Sequence, residues 1–196
     1  MNVGAVIDAA GSSAGMEDFV RLPEMDSLTA AERVTVNFQR VGIKDIVMIT
    51  GYRAEQVEKA LRRFGITFLR NEGYESARTL DSVKLGLDYL RERCGKVLFC
   101  PAEFPFFMEE TVKLLLEAQE GSVLPVCQGQ PGYPVCVDSS GISALLEYHG
   151  DKGILDALEA GGSKMVRLEV PDQGILTGIS AGEDCARIAR IHEESL

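Results

Sequence analysis

The chain has 196 residues, 45% of them hydrophobic, which is long enough for one sizeable hydrophobic core. Its formal net charge of −10 argues against a nucleic-acid partner, because a polyphosphate would be repelled. No apolar run is long enough to cross a bilayer, and the amino terminus lacks a signal-peptide pattern, so we predict a cytoplasmic protein without a membrane partner.

The first half of the chain alternates between predicted strands and helices. Buried strands are predicted at Val3–Ile7, Asp45–Thr50, Ile66–Leu69 and Lys96–Cys100. Helices are predicted at Thr29–Val41, Arg53–Phe64, Thr79–Arg93 and Glu109–Glu120. This repeated strand–helix order predicts a parallel sheet with helical crossovers.

The second half is more mixed. Strands are predicted at Ser122–Cys127, Pro134–Val137, Met165–Val170 and Ile175–Ile179. Helices are predicted at Ile142–Tyr148, at Ile154–Ala160 and from Ala181 onward. The predicted fold is therefore α/β, with a single doubly wound and mostly parallel sheet over residues 1–196. The last helix ends on charged residues without a stop signal, which allows an additional domain outside this sequence.

The cysteines do not indicate a disulfide framework or a zinc site. Their number, five, is odd, and none are spaced as C-x-x-C. We therefore expect reduced and mostly buried thiols. The five are Cys94, Cys100, Cys127, Cys136 and Cys185.

The end of the first strand is the candidate ligand site. After Asp8 comes a run of small residues that includes Ala9, Ala10, Gly11, Ser12 and Ser13. Small side chains at the carboxyl end of a strand allow backbone amides to converge on a phosphate group. The alternative is a tight turn that needs small residues only for packing. Neither dinucleotide nor P-loop glycine patterns are present, which disfavours an oxidoreductase.

Short motifs follow the predicted strands in a fixed order. They are Ala9-Ala10-Gly11 with Ser13 and Met16, Thr50-Gly51-Tyr52, Asn71 with Tyr74, Ser82-Val83 with Gly86, Pro101-Ala102-Glu103-Phe104-Pro105, Gly132-Tyr133-Pro134-Val135 and Gly150-Asp151-Lys152-Gly153. Together they resemble the molybdenum cofactor cytidylyltransferase and guanylyltransferase family over nearly the full length. The resemblance implies a Rossmann-like nucleotidyltransferase fold of the glycosyltransferase-A type.

The resemblance also implies an activity and a set of site residues. A nucleotide would pass from a nucleoside triphosphate, CTP or GTP, to a small phosphorylated acceptor such as molybdopterin, with release of pyrophosphate. The A-A-G form is closer to the cytidylyltransferase branch. Glu103 takes the place of the family's acidic ligand for Mg²⁺ and would be catalytic. The implied nucleotide-binding residues are Ala9, Ala10, Gly11, Ser12, Ser13, Arg21, Asn71 and Ser82.

Several departures from the family pattern favour an alternative function. The family's arginine and lysine in the first motif are Gly15 and Val20 here, with Arg21 as a stand-in for the lysine. The family's histidine before P-V is Tyr133, and two aspartates are missing near the carboxyl terminus. The alternative is a catalytically impaired domain that binds nucleotide or cofactor as a sensor or regulator.

Asp8 is unusual at the end of an apolar strand. If the first and fourth strands are neighbours, Asp8 and Glu103 lie at adjacent carboxyl ends and are placed to hold one metal ion between them. The competing interpretation is that Asp8 caps the amides of its own loop.

Overall fold

The computed structural model describes residues 2–11 and 28–179, in which helices flank one mixed, mostly parallel sheet. The predicted fold class is confirmed. The strands are β1 (Val3–Ala9), β2 (Asp45–Thr50), β3 (Thr67–Arg70), β4 (Lys96–Pro101), β5 (Ser122–Cys127), β6 (Gln130–Pro131), β7 (Val135–Asp138) and β8 (Met165–Glu169). The helices are α1 (Ala30–Arg40), α2 (Ala54–Leu61), α3 (Thr79–Leu90), α4 (Glu109–Glu117), α5 (Ser139–Glu147) and α6 (Ile154–Ala160).

The sheet has a parallel part and an antiparallel part. Strands β3, β2, β1 and β4 are parallel neighbours in that order. Strand β7 pairs antiparallel with β4 and with β5, and β8 runs parallel to β5 on the other side. The short strand β6 forms a hairpin with the end of β5. The start of β7 therefore lies at the same edge as the carboxyl ends of β1, β2 and β4.

One predicted strand is wrong. The segment from Ile175 to Ile179 contains a 3₁₀ turn at Gln173–Leu176 followed by extended chain. Ile175 and Ile179 are buried, which explains the apolar pattern, but their backbone groups bond to loops: the Ile175 carbonyl accepts from Tyr133 and the Ile179 amide donates to Glu103. The predicted helix from Ala181 onward lies outside the described residues.

The buried thiols agree with the sequence analysis, whereas α3 and α4 end three residues before their predicted ends and α5 begins three residues before its predicted start. Cys94, Cys100, Cys127 and Cys136 are free and buried, and Cys185 lies outside the described residues. Among the residues that the structure describes, no helix has the length and apolar character to cross a membrane. Helix α1 begins with a capping box in which Thr29 and Glu32 satisfy each other's backbone amides.

Close packing of α3 on β1 sets the position of one predicted site residue. A side chain at Gly86 would place its Cβ 2.6 Å from both methyl groups of Val6, so only glycine allows the helix to lie this close to the strand. Ser82 lies one helical turn before Gly86 and is buried. The glycine of the S-V-x-x-G motif therefore brings Ser82 against the end of β1.

Candidate active site

The loops after β1, β2 and β4 are joined to one another by backbone hydrogen bonds. The Tyr52 amide donates to the Ala10 carbonyl at 3.0 Å, and the Ala102 amide donates to the Asp8 carbonyl at 2.9 Å. Ligands bind at this edge of open α/β sheets, outside the carboxyl ends of the strands. The predicted location of the site thus coincides with the point where these loops meet.

Asp8 and Glu103 lie at adjacent strand ends, as the sequence hypothesis requires. Asp8 is opposite Pro101 in the parallel register of β1 and β4, two residues before Glu103. Burial raises the pKa of Asp8, although a hydrogen bond from Ala10 opposes the rise. Burial also raises the pKa of Glu103, and the nearby Asp8 charge adds to this effect. The two carboxylates therefore interact in a partly buried space, an arrangement that a cation would relieve.

Asn71 and Ser82 are joined by a hydrogen bond close to Asp8. The Gly73 amide donates to Asn71 Oδ1 at 3.1 Å, and Asn71 Nδ2 donates to Ser82 Oγ at 3.2 Å. The Ser82 side chain favours the charged form of Asp8 and so opposes the rise of the Asp8 pKa. Asn71 and Ser82, which the sequence assigned to nucleotide binding, are thus brought together and both are buried.

Asp8 also caps its own loop. Its Oδ1 accepts from the Ala10 amide at 3.1 Å, which is the capping geometry expected as the competing interpretation. Capping and metal binding are compatible, because a carboxylate has about four lone-pair sites. The Ala10 amide, one of the predicted phosphate-binding groups, is therefore already paired with Asp8. Ala9 and Ala10 are buried and Gly11 is exposed, whereas Ser12, Ser13 and Arg21 lie outside the described residues.

Tyr133 lies beside the two carboxylates, although the sequence reasoning did not select it as a site residue. It precedes β7, whose Val135 pairs with Phe99 of β4, and this places Tyr133 beside the end of β4. Its ring centre is 4.9 Å from that of Phe104 and 5.8 Å from that of Phe99. Burial raises the pKa of Tyr133, and Cys100, Glu103 and Asp8 raise it further, so the hydroxyl stays protonated at neutral pH. The Tyr-Pro motif was visible, but its proximity to Glu103 depends on the antiparallel pairing of β7.

The donor set at the site suits a hard divalent cation. Across residues 2–11 and 28–179, no group of three or more His, Cys, Asp or Glu side chains is placed to hold a metal ion. Two carboxylates are nevertheless the usual protein contribution to a Mg²⁺ site, where water and substrate phosphates complete the octahedron. Asp8 and Glu103 therefore fit the ion that the family resemblance implies.

Residues 5–166 match the model of the MobA-like NTP transferase domain. This chain belongs to that family. The Bifunctional protein GlmU of Staphylococcus saprophyticus is 29% identical over 120 residues, covering 60% of this chain and 26% of GlmU. The chain thus spans about a quarter of the length of the curated relatives it matches.

Solved structures share the fold of this MobA-like domain over almost its whole length. A nucleotidyl transferase from Methanothermobacter thermautotroptrophicus has a TM-score of 0.79 at 19% identity and covers 100% of this chain and 99% of its own. The 4-diphosphocytidyl-2C-methyl-D-erythritol synthase of Anaerococcus prevotii has a TM-score of 0.75 at 17% identity, covering 98% and 96%. A manganese complex of Rv0371C from Mycobacterium tuberculosis has a TM-score of 0.76 at 18% identity, covering 96% and 98%.

Proposed function

We propose that this MobA-like domain transfers a nucleotide from CTP, or from GTP, to a small phosphorylated acceptor such as molybdopterin, with release of pyrophosphate. The observation that carries the proposal is the pair Asp8 and Glu103, which interact at adjacent strand ends beside the small-residue loop of Ala9–Gly11. The family match supports the reaction class, and the cytidylyl product in the name of the A. prevotii enzyme supports CTP as the first donor to test.

Nucleotidyl transfer makes specific demands on these residues. Charge develops on the phosphoryl oxygens as pyrophosphate leaves, so catalysis consists mainly of positioning and electrostatic stabilisation. A Mg²⁺ ion bound by Asp8 and Glu103 would supply positive charge at the α-phosphate. The Asp8 carboxylate is positioned by the Ala10 amide, which donates to it at 3.1 Å, and the Glu103 backbone is fixed by its carbonyl, which accepts from Ile179 at 2.8 Å.

Glu103 stands where the family has an aspartate, so the carboxylate proposed to bind the metal ion is on a longer side chain. The extra methylene of Glu103 gives its carboxylate a longer reach, and Asp8 lies on the neighbouring strand. We propose that the two side chains share the ion, so that Asp8 supplies the second carboxylate close to the first. The manganese complex of Rv0371C supports a divalent ion in a protein of this fold.

The test is pyrophosphate release with CTP or GTP, molybdopterin and Mg²⁺. Glu103→Gln removes a charge that the reaction needs and is expected to lower turnover at least a hundredfold, on the order of 3 kcal/mol of transition-state stabilisation. Glu117→Gln is the matched control, because Glu117 is exposed on α4 and should leave turnover unchanged.

The outcomes separate the two functions considered from the sequence. Turnover that depends on Glu103 and on the metal supports the transferase. Tight CTP or GTP binding to the wild type without pyrophosphate release would instead favour the sensor or regulatory domain. A wild type that binds neither nucleotide would contradict both.

A further inference from the structure

The loop that carries Glu103 is irregular and connects β4 to α4 through residues 102–108. The Ala102 amide donates to the Asp8 carbonyl at 2.9 Å, which ties the start of the loop to β1. Because the loop belongs to neither the sheet nor a helix, hydrogen bonds from other parts of the chain decide where its backbone lies. These bonds therefore also decide where Glu103 lies relative to Asp8.

A second segment, residues 172–179, runs beside this loop in the opposite direction. At one end of the pair, the Ile179 amide donates to the Glu103 carbonyl at 2.8 Å. At the other end, the Met108 amide donates to Asp172 Oδ2 at 2.8 Å. The loop and the second segment are thus joined at both ends, and Glu103 lies at one of the two joints.

Asp172 is the buried group that ties the two segments together, with only 2% of its surface exposed. Its Oδ2, which accepts from Met108, also accepts from the Thr111 hydroxyl at 2.6 Å, and its Oδ1 accepts from the Gly174 amide at 2.9 Å. A Cβ at Gly174 would lie 2.0 Å from the Phe106 carbonyl oxygen, so the two backbones are in direct contact there. One carboxylate therefore fixes the end of the loop, the first turn of α4 and the start of the second segment.

Asn37 is a second buried polar side chain that holds the loop, in this case from α1. Its Nδ2 donates to the Pro105 carbonyl at 3.2 Å and to the Phe107 carbonyl at 3.3 Å. The Phe107 ring packs on that of Phe38, the residue after Asn37, with ring centres 5.3 Å apart. Asn37 therefore fixes the middle of the loop, between the two joints made by the second segment.

We propose that Asp172 and Asn37 are positioning residues for the carboxylate pair, because together they hold the loop where Glu103 lies beside Asp8. The inference rests on the proposed function, in which Asp8 and Glu103 share a divalent ion. Asp172 and Asn37 act through the loop backbone, whereas Asp8 and Glu103 supply the ligand oxygens. Removing groups that orient a metal ligand typically lowers metal affinity roughly 10- to 100-fold.

Two near-isosteric substitutions test the two residues. Asp172→Asn replaces one acceptor oxygen with a donor, so the side chain can no longer accept from both Met108 and Gly174. Asn37→Leu keeps the branched shape of the side chain and removes the amide that donates to the loop.

Leu145→Ala is the matched control for lost stability. Leu145 is wholly buried on α5, which packs on α3, α6 and β7. Its truncation destabilises the protein as other large-to-small core substitutions do, but leaves the bonds of the Glu103 loop in place.

The experiment measures the dissociation constant of Mn²⁺ for the full chain by calorimetry, at a temperature where circular dichroism shows each variant to be folded. Asp172→Asn and Asn37→Leu should each raise the dissociation constant at least about fivefold, and Leu145→Ala should leave it within about twofold of the wild type. Glu103→Gln removes a proposed ligand and is the reference for a damaged site. Pyrophosphate release from CTP is measured in parallel, and the Mn²⁺ concentration for half-maximal release should rise by the same factor as the dissociation constant.

Unchanged Mn²⁺ affinity in folded Asp172→Asn would overturn the inference, and if that variant does not fold, unchanged affinity in Asn37→Leu would do so. An equal loss of affinity in Leu145→Ala would also overturn it, because the loss would then follow stability rather than the position of the loop. A wild type that binds no Mn²⁺ would contradict it as well. Since Mn²⁺ binding is measured without turnover, a wild type that binds Mn²⁺ but releases no pyrophosphate counts against the transferase proposal alone.

Discussion

Replacing Gly86 with alanine tests whether the contact between α3 and β1 sets the site. The new Cβ would lie 2.6 Å from both methyl groups of Val6, which is wholly buried, and ordinary contacts begin near 3.4 Å. Overpacking costs about 1–3 kcal/mol, and a 2.6 Å contact with a wholly buried side chain belongs in the upper half of that range, about 2–3 kcal/mol. Alanine's better helix propensity offsets about 1 kcal/mol. We therefore expect Gly86→Ala to lower the free energy of unfolding by about 1–2 kcal/mol.

A second substitution makes this prediction specific. Val6→Ala removes the two methyl groups and should cost about 2–3 kcal/mol, from lost burial and the cavity left behind. In the double variant the alanine at position 86 fills that space, so the total loss should be about 1–2 kcal/mol rather than the sum of about 4. Urea unfolding of the four proteins measures this coupling. Additivity within about 0.5 kcal/mol would refute the reasoning.

Three further predictions concern buried polar groups. Ser82→Ala leaves the Asn71 amide without its buried acceptor and removes the side chain that favours the charged form of Asp8, so it should lower the unfolding free energy by about 1–3 kcal/mol and weaken Mn²⁺ binding. Urea unfolding and calorimetry measure the two effects, and unchanged Mn²⁺ affinity would contradict the role of Ser82. Burial raises the pKa of Asp8 above its unfolded value, so the folded state binds the proton more tightly and loses relative stability as pH rises. Asp8→Asn should therefore stabilise the metal-free protein at about pH 7.5, and this gain in stability should vanish near pH 3. Thermal unfolding as a function of pH measures the gain, and a variant less stable than the wild type at about pH 7.5 would contradict the reasoning. Asp172→Ala should lower the unfolding free energy by at least about 3 kcal/mol, because this buried carboxylate accepts from the amides of Met108 and Gly174 and from the Thr111 hydroxyl. Urea unfolding measures the loss, and a shift of the unfolding midpoint too small for about 3 kcal/mol would contradict the prediction.

Local patterns were sufficient for most of the fold. The ranges predicted for β2, β5 and α6 agree with the structure, because a short apolar run or one apolar helical face is a local signal. Strand β6 was missed because two residues in a turn-rich segment are too few to show the alternation of apolar and polar residues that indicates a strand. The wrong strand at Ile175–Ile179 shows the same limit, because burial alone does not reveal whether backbone groups bond to a strand or to loops.

The site was predictable where its residues lie at or near strand ends. Asp8 lies one residue before the end of β1, and Glu103 comes two residues after β4, so the parallel order was sufficient to place them together. Tyr133 was missed because it approaches Glu103 through an antiparallel strand whose partner could not be read from spacing. The hydrogen bond from Asn71 to Ser82 joins the loop after β3 to α3, and no local pattern encodes it.

Two motif glycines suggest how this family can vary its side chains while keeping its site. Gly51 of the T-G-Y motif admits no Cβ, because one would lie 2.6 Å from both the Ala10 carbonyl oxygen and the Tyr74 side chain. Gly86 likewise admits no Cβ, because one would lie 2.6 Å from the methyl groups of Val6. These contacts position the backbone of the β1 loop and of Ser82 whatever charged residues the loop carries. The loss of the family's arginine and lysine at Gly15 and Val20 therefore removes charge without removing the frame that holds Asp8 beside Glu103. Restoring the two cations, Gly15→Arg with Val20→Lys, is accordingly expected to strengthen CTP binding, and an unchanged dissociation constant for CTP would contradict this role of the loop.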